Sequence, residues 1–470
     1  MSTELEAALE RVLAKRAPGF RSFRSCDRLS GGASQETYRL VVETADGERR
    51  YAMRRAPGGR QPLLPEAGVG LPVEAKLFRA AREAGVPEPE ILHLFEPSDS
   101  LGEGFVMEWL EGETLGAKIV RGEEFASVRP KLARQCGEVL ARIHSIDVAR
   151  AGLTGALRTR TAEELVRESW KLYEAYGTPQ PMIDYTGRWL LDHLPPASTP
   201  RLVHGDFRNG NLMISPERGV VAVLDWEIAH LGDPVRDLGW VCTNSWRFGG
   251  TPLVGGFGEL DDLLDGYASV AGARPDADHV KFWVVFGSFW WAVGTLSMAQ
   301  IYRSGPDRSV ERAAIGRRTS ECQIDCVNLL IPGPVAPLRA EPTRSTLDMP
   351  RADELAVSVR DFLRDEVMPA TRGRTSFLAR VAGNSLDILL RELELGPAHR
   401  VREHAGLERV LGHAGELEAL RWELVHALRT GSMPLDHPGL ADHLRETVAD
   451  QIAIDQPRYS GYTTLVGRKS

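Results

Sequence analysis

The sequence predicts an α+β portion followed by an all-α portion, and three observations carry that expectation. Short apolar runs of strand character at residues 51–54, 105–110 and 220–224 stand among segments whose apolar side chains recur at helical spacing. Pro332, Pro334, Pro337, Pro342 and Pro350 then punctuate a stretch that can sustain neither a helix nor a strand ladder. Beyond them every apolar pattern has the helical period.

Taken in order, residues 29–38 form a small-residue loop entering a strand. Peptide N–H groups at Ser30, Gly31, Gly32 and Ser34 are unblocked by large side chains and can lie over phosphates, although such a run also suits a hairpin turn. In residues 51–54 the period-two alternation puts Ala52 and Arg54 on one face, so Arg54 is the candidate cation, with Arg55 as the alternative. Residues 73–84 carry Leu77, Phe78 and Ala81 at core-facing positions and end at Gly85 before Pro87. Glu74 on that helix is the natural partner of Arg54, against the plainer alternative of a solvated glutamate. Residues 105–112 read as a strand leading into a turn.

The chemistry is concentrated between residues 204 and 225. Asp206 and Asn211 stand five apart, as the base and a metal ligand do in phosphoryl-transfer loops, and Asp225 follows the apolar run 220–224 where a second metal ligand is wanted. Turn chemistry alone would explain a lone His-Gly-Asp; the added spacing of Asn211 and Asp225 makes it a site. On these residues the chain resembles the aminoglycoside phosphotransferase family, a branch of the two-lobed protein-kinase-like fold. The segment 232–240, with Asp237, matches that family too, and Asp237 is expected to hold the catalytic loop through its backbone N–H groups. Glu227 and Asp233 are read as metal or acceptor contacts or, equally, as turn residues.

The resemblance implies ATP and Mg²⁺ as cofactors, with Asp206 as catalytic base and Asn211 and Asp225 as metal ligands. It further implies nucleotide contacts from Ser30, Gly31, Gly32, Ser34, Arg54 and Glu74, and from the backbone at Glu108, Trp109 and Leu110 in the hinge between lobes. Arginine at position 54 departs from the family's lysine and offers a planar fork in place of a point charge. The phosphotransferase portion is expected over residues 1–335, with an N-lobe of about 1–110 and a C-lobe of about 111–335. A proline-rich linker over 336–350 and a helical accessory domain over 351–470 follow.

Composition bounds the rest. With 470 residues, 43% hydrophobic and 26% charged, the chain suits a soluble protein of more than one domain, and a net charge of −8 argues against general nucleic-acid binding. Five cysteines fit reduced thiols and a cytoplasmic location, and Cys322 and Cys326, one turn apart, read as buried positions without a metal. The N-terminus shows no secretory pattern, and the aromatic-rich residues 282–299 are expected to form a core helix rather than a membrane span.

Helical patterns at 355–367, 377–395, 417–428 and 440–454 carry no nucleophile, metal set or phosphate loop, so this unit is expected to serve structure, self-association or docking. Its architecture resembles a small helical protein that accompanies phosphotransferases acting on 4-hydroxyacyl-CoA thioesters, and the first portion resembles the kinase-like half of certain acyl-CoA dehydrogenase fusions. The expected acceptor is therefore a small-molecule hydroxyl, best a 4-hydroxyacyl-CoA. An aminoglycoside or other small-alcohol kinase, and a non-catalytic nucleotide-binding scaffold, stand as alternatives.

Overall fold

The structure, a computed structural model, describes residues 3–29, 35–59, 68–305, 307–340 and 348–466. The chain forms two compact units, one of Met1–Thr161 with Pro196–Trp283 and one of Ala162–Pro195 with Val284–Ser470.

The first unit opens with an antiparallel sheet of β1 (Phe20–Arg28), β2 (Glu36–Thr44), β3 (Gly47–Arg55), β4 (Ile91–Leu94) and β5 (Gly104–Glu108), in the order β1-β2-β3-β5-β4. Alternation assigns its two faces. Tyr38, Leu40, Val42, Tyr51, Met53 and Val106 pack with Leu5, Leu9 and Leu13 of the Thr3–Arg16 helix in one core. Ala52, Arg54 and Phe105 therefore point to the other face, where the Leu71–Glu83 helix brings Phe78 within 5.9 Å of the Phe105 ring.

Two short ribbons follow: β6 (Arg201–Val203) pairs with β9 (His230–Gly232), and β7 (Leu212–Ser215) pairs with β8 (Gly219–Val223). The Arg129–His144 and Leu260–Ala271 helices lie against each other so closely that a Cβ on Gly137 would sit 2.0 Å from the Leu263 carbonyl oxygen. That glycine sets the approach that brings His144 beneath the ribbons.

The second unit is all helical. Met182, Tyr185, Ile324 and Val327 share one core with Leu407, Leu420, Leu424, Leu428, Leu444 and Ile452. Helices from both sides of the proline-rich stretch thus bury one another's apolar faces. Polar contacts add to this: Arg429 donates to Asp184 at 2.7 Å, Arg317 to Asp455 at 2.7 Å and Tyr459 to Asp325 at 2.6 Å. Of the expected linker, the Ala336 carbonyl accepts from Arg402 at 3.1 Å, while residues 341–347 lie outside the described residues. Sequence periodicity shows that a face is buried but not against what.

One helix departs from the sequence reading. Gly373–Leu411 runs for 39 residues straight through Pro397, where a stop near Leu395 is expected. Gly396 has no Cβ to clash with the proline ring, and His399, Glu403, Leu407 and Val410 beyond it are buried, so packing outweighs the missing hydrogen bond. The Ala277–Ser304 helix has the length and apolarity to cross a membrane, yet Phe282, Trp283, Val285, Phe286, Phe289 and Val293 are buried inside the protein, as a core helix requires.

Candidate active site

The site is assembled in the first unit from the open face of the sheet and the loops after β6 and β8. Arg54, one residue before the end of β3, pairs with Thr37 and Phe105 in the ladders and extends its fork away from the Leu40 core. Its Nη1 lies 2.8 Å from Glu74 Oε1, its Nη2 donates to Asp225 Oδ1 at 2.5 Å, and its Nε donates to Gln35 Oε1. Arg55 turns to the opposite face, donating to the Leu101 carbonyl at 2.7 Å. The alternation of β3 thus puts Arg54, and not Arg55, beside Glu74 and Asp225.

Glu74 occupies the first turn of the Leu71–Glu83 helix and is completely buried, which removes the surface alternative. Burial pushes its carboxyl up to about 7, against the pull of the Arg54 guanidinium.

The loop 204–211 leaves β6 and returns into β7. Asp206 Oδ1 accepts from Trp240 Nε1 at 2.7 Å and from Arg208 Nε at 3.0 Å, and its Oδ2 accepts from Asn211 Nδ2 at 2.6 Å. Since the Asn211 amide nitrogen is committed to Asp206, Oδ1 is the Asn211 atom left for a cation. The Leu224 N–H donates to the Asn211 carbonyl at 2.8 Å, which ties the segment after β8 to the loop 204–211. Asp225 adopts φ 71°, a left-handed conformation that asparagine and aspartate tolerate better than most side chains. With Oδ1 on Arg54, its second oxygen remains for a ligand.

Beneath the loop, Asp237 accepts the N–H groups of His204 and Gly205 at 2.8 and 2.9 Å and contacts His144 Nε2 at 3.1 Å. Burial acts to raise this carboxyl, but the hydrogen bond and charge of His144, with Arg236, hold it down at about 2. Burial also lowers the pKa of the fully buried His204 imidazole, whose ring lies 4.5 Å from that of Trp226.

Asp233 is a structural anchor: it accepts from the Val235 N–H at 3.1 Å and from Trp283 Nε1 at 2.9 Å, and contacts His279 at 2.6 Å. Glu227 contributes charge to the environment of Arg54 and Glu74.

Several expected positions are constrained differently. Ser30, Gly31, Gly32 and Ser34 lie outside the described residues. Of the positions expected at a hinge, the Glu108 N–H donates to the Glu90 carbonyl at 2.8 Å, and Trp109 and Leu110 lie just past the end of β5.

The sequence reading missed Gln35, Arg208, Trp240 and His144. Arg208 and Trp240 stood inside motifs already singled out, but only the fold brings their N–H groups to Asp206. His144 carried no signal, being 93 residues from its partner Asp237. The oxygen-rich set of Asp206, Asn211 and Asp225 suits a hard divalent cation.

The second unit holds a cavity of about 410 Å³, the size of a small-molecule site, lined by residues from both sides of the proline-rich stretch, among them Gln323, His399, Arg421 and Asp455. None of the candidate site residues lines it.

Comparison with known proteins places the chain in a family. The model of the phosphotransferase enzyme family matches residues 25–273, and a domain of unknown function matches residues 369–459. Acyl-CoA dehydrogenase family member 10 of Mus musculus is 32% identical over 271 residues, 55% of this chain and 25% of that protein. Acyl-CoA dehydrogenase family member 11 of Rattus norvegicus is 27% identical over 416 residues, 81% of this chain and 50% of that protein. The chain spans no more than about half the length of these curated relatives. A Ralstonia eutropha protein, solved as a candidate aminoglycoside phosphotransferase, shares the fold with a TM-score of 0.55 and 24% identity, over 67% of this chain and 95% of that one.

Proposed function

From the premise that this chain belongs to the phosphotransferase enzyme family, we propose that it transfers the γ-phosphoryl group of ATP to the hydroxyl of a 4-hydroxyacyl-CoA. The observation that carries the phosphotransfer is the joint placement of Asp206, Asn211 and Asp225, tied to the Arg54–Glu74 pair through Asp225.

In this reading Asp206 accepts the proton of the acceptor hydroxyl as its oxygen attacks the γ-phosphorus and the bond to the β,γ-bridging oxygen breaks, releasing ADP. Trp240 and Arg208 orient the carboxylate by holding Oδ1, and Asn211 holds Oδ2. Asn211 Oδ1 and the outer oxygen of Asp225 are the groups that would hold Mg²⁺, which when bound neutralises phosphate charge. Arg54, steadied by Glu74, supplies a fixed cation toward the donor phosphates. Intact Asp206, Asn211 and Asp225 weigh against a non-catalytic scaffold.

The acceptor rests on the relatives' being named as acyl-CoA dehydrogenase family members, and on the match to the Rattus norvegicus protein, which covers 81% of this chain and so reaches into the helical portion. The test is ADP release from Mg·ATP with a panel of 4-hydroxyacyl-CoAs, the free hydroxy acids and aminoglycosides. Turnover of the thioesters, with phosphate found on the 4-hydroxyl, is the expected result. Turnover of aminoglycosides or free acids alone would overturn the acceptor while keeping the kinase.

A further inference from the structure

The Ala352–Phe362 helix has no buried residue at all. A helix of 11 residues has little stability by itself, and this one is amphipathic, with Leu355, Val359 and Phe362 at i, i+4 and i+7. It packs on the Gly373–Leu411 helix, yet Leu355 is 54%, Val359 50% and Phe362 52% exposed. The longer helix adds to it: between residues 373 and 395 only Ala379 and Gly383 are buried, while Leu389 and Leu393, one turn apart on one face, are 54% and 53% exposed. Both helices of this hairpin therefore leave an apolar face in water. Its polar side chains satisfy one another: Arg360 reaches Asp387 at 3.3 Å and Arg364 reaches Asp387 at 2.5 Å.

We propose that this hairpin is the interface of a homodimer, in which the hairpins of two copies pack as a four-helix bundle. Charge selects the second copy over an oppositely charged partner. Residues 351–395 hold seven arginines and eight acidic residues, a balance of −1 within a chain of net −8, so two copies meet here with little repulsion.

Area supports the same occupant. Five half-exposed side chains leave on the order of 400 Å² of apolar surface per hairpin, taking about 150–250 Å² for a whole aromatic side chain as the scale. Two copies would remove on the order of 800 Å² of apolar surface, and the polar flanks bring the total to the roughly 1,200–2,000 Å² of a stable, specific interface. A two-fold pair of antiparallel hairpins supplies a closed arrangement in which each apolar stripe meets its own copy.

The experiment is sedimentation velocity and light scattering on the full chain across a concentration series, with the double variants Leu355→Glu/Val359→Glu and Leu389→Glu/Leu393→Glu. The parent is expected at twice the chain mass at micromolar concentration, and each variant as a monomer with at least a 100-fold weaker dimer constant and the parent's circular dichroism. Val401→Glu, at a 72% exposed position on the buried half of the long helix, is expected to remain dimeric. If the glutamates unfold the hairpin, the milder Leu355→Asn/Val359→Thr pair gives the same reading. A monomeric parent, or a dimer that persists in both folded double variants, overturns the proposal. A hairpin captured instead by a different protein, with the parent monomeric, overturns it equally.

Discussion

Asp237 accepts the backbone N–H groups of both His204 and Gly205, at 2.8 and 2.9 Å, so a side chain 33 residues downstream of His204 sets the shape of the loop that carries Asp206. The folded carboxyl titrates near 2 against an ordinary value of 3.8, so the stability it contributes is fully present above about pH 4 and is lost as the pH falls toward 2. That window corresponds to roughly 2 kcal/mol. Denaturant unfolding between pH 2 and 5 should show the slope in the parent and a much weaker one in Asp237→Asn. Asp237→Ala, which strands two buried donors, should lose about 3 kcal/mol at neutral pH. An unchanged midpoint would remove Asp237 from its supporting role.

Asp206→Asn retains an acceptor oxygen for Trp240 while removing the basic carboxylate. The expected outcome is a fall in turnover of about 10² or more, with the thermal midpoint and the affinity for a non-hydrolysable ATP analogue near those of the parent. Near-normal turnover measured by ADP release would sink the assignment of the base.

Arg54→Ala removes the cation that draws the Glu74 carboxyl down, so Glu74 is left buried, protonated and without its partner, a loss on the order of 1–3 kcal/mol. Adding Glu74→Gln should cost little more, because an amide replaces a carboxyl that is already uncharged, while the raised KM for ATP persists. The signature is therefore non-additivity in a double-mutant cycle that reads stability and KM together. Strict additivity in both would mean that the two residues act separately.

A chain ending at Pro334 should not stay soluble. It would strip Leu420, Leu424, Leu444 and Ile452 from Met182, Tyr185, Ile324 and Val327, opening a continuous core to water. Expression of the truncated chain with a native-gel or light-scattering readout decides this; a monodisperse, cooperatively unfolding product would show that the first 334 residues fold independently.

How much of this was legible follows from the range over which each signal acts. Alternation along β3 places Arg54, helix period places Glu74, and the five-residue offset places Asn211 beside Asp206, because all three are local geometry. The contact of Arg54 with Asp225 joins positions 171 apart, and the support of Asp237 by His144 joins positions 93 apart, distances at which sequence pattern says nothing. The helix that passes through Pro397 illustrates the opposite failure, a strong local rule overridden by the burial of Leu407 and Val410 further along.

The φ of 71° at Asp225 makes one residue answerable to two demands, a turn that must close and a charge that must face outward. Glycine would meet the first demand more comfortably than aspartate does and fail the second entirely. A lineage in which the acceptor vanished could therefore drift to glycine here, easing the turn while giving up the Arg54 contact, and such a descendant would be betrayed by that single letter while its architecture looked untouched.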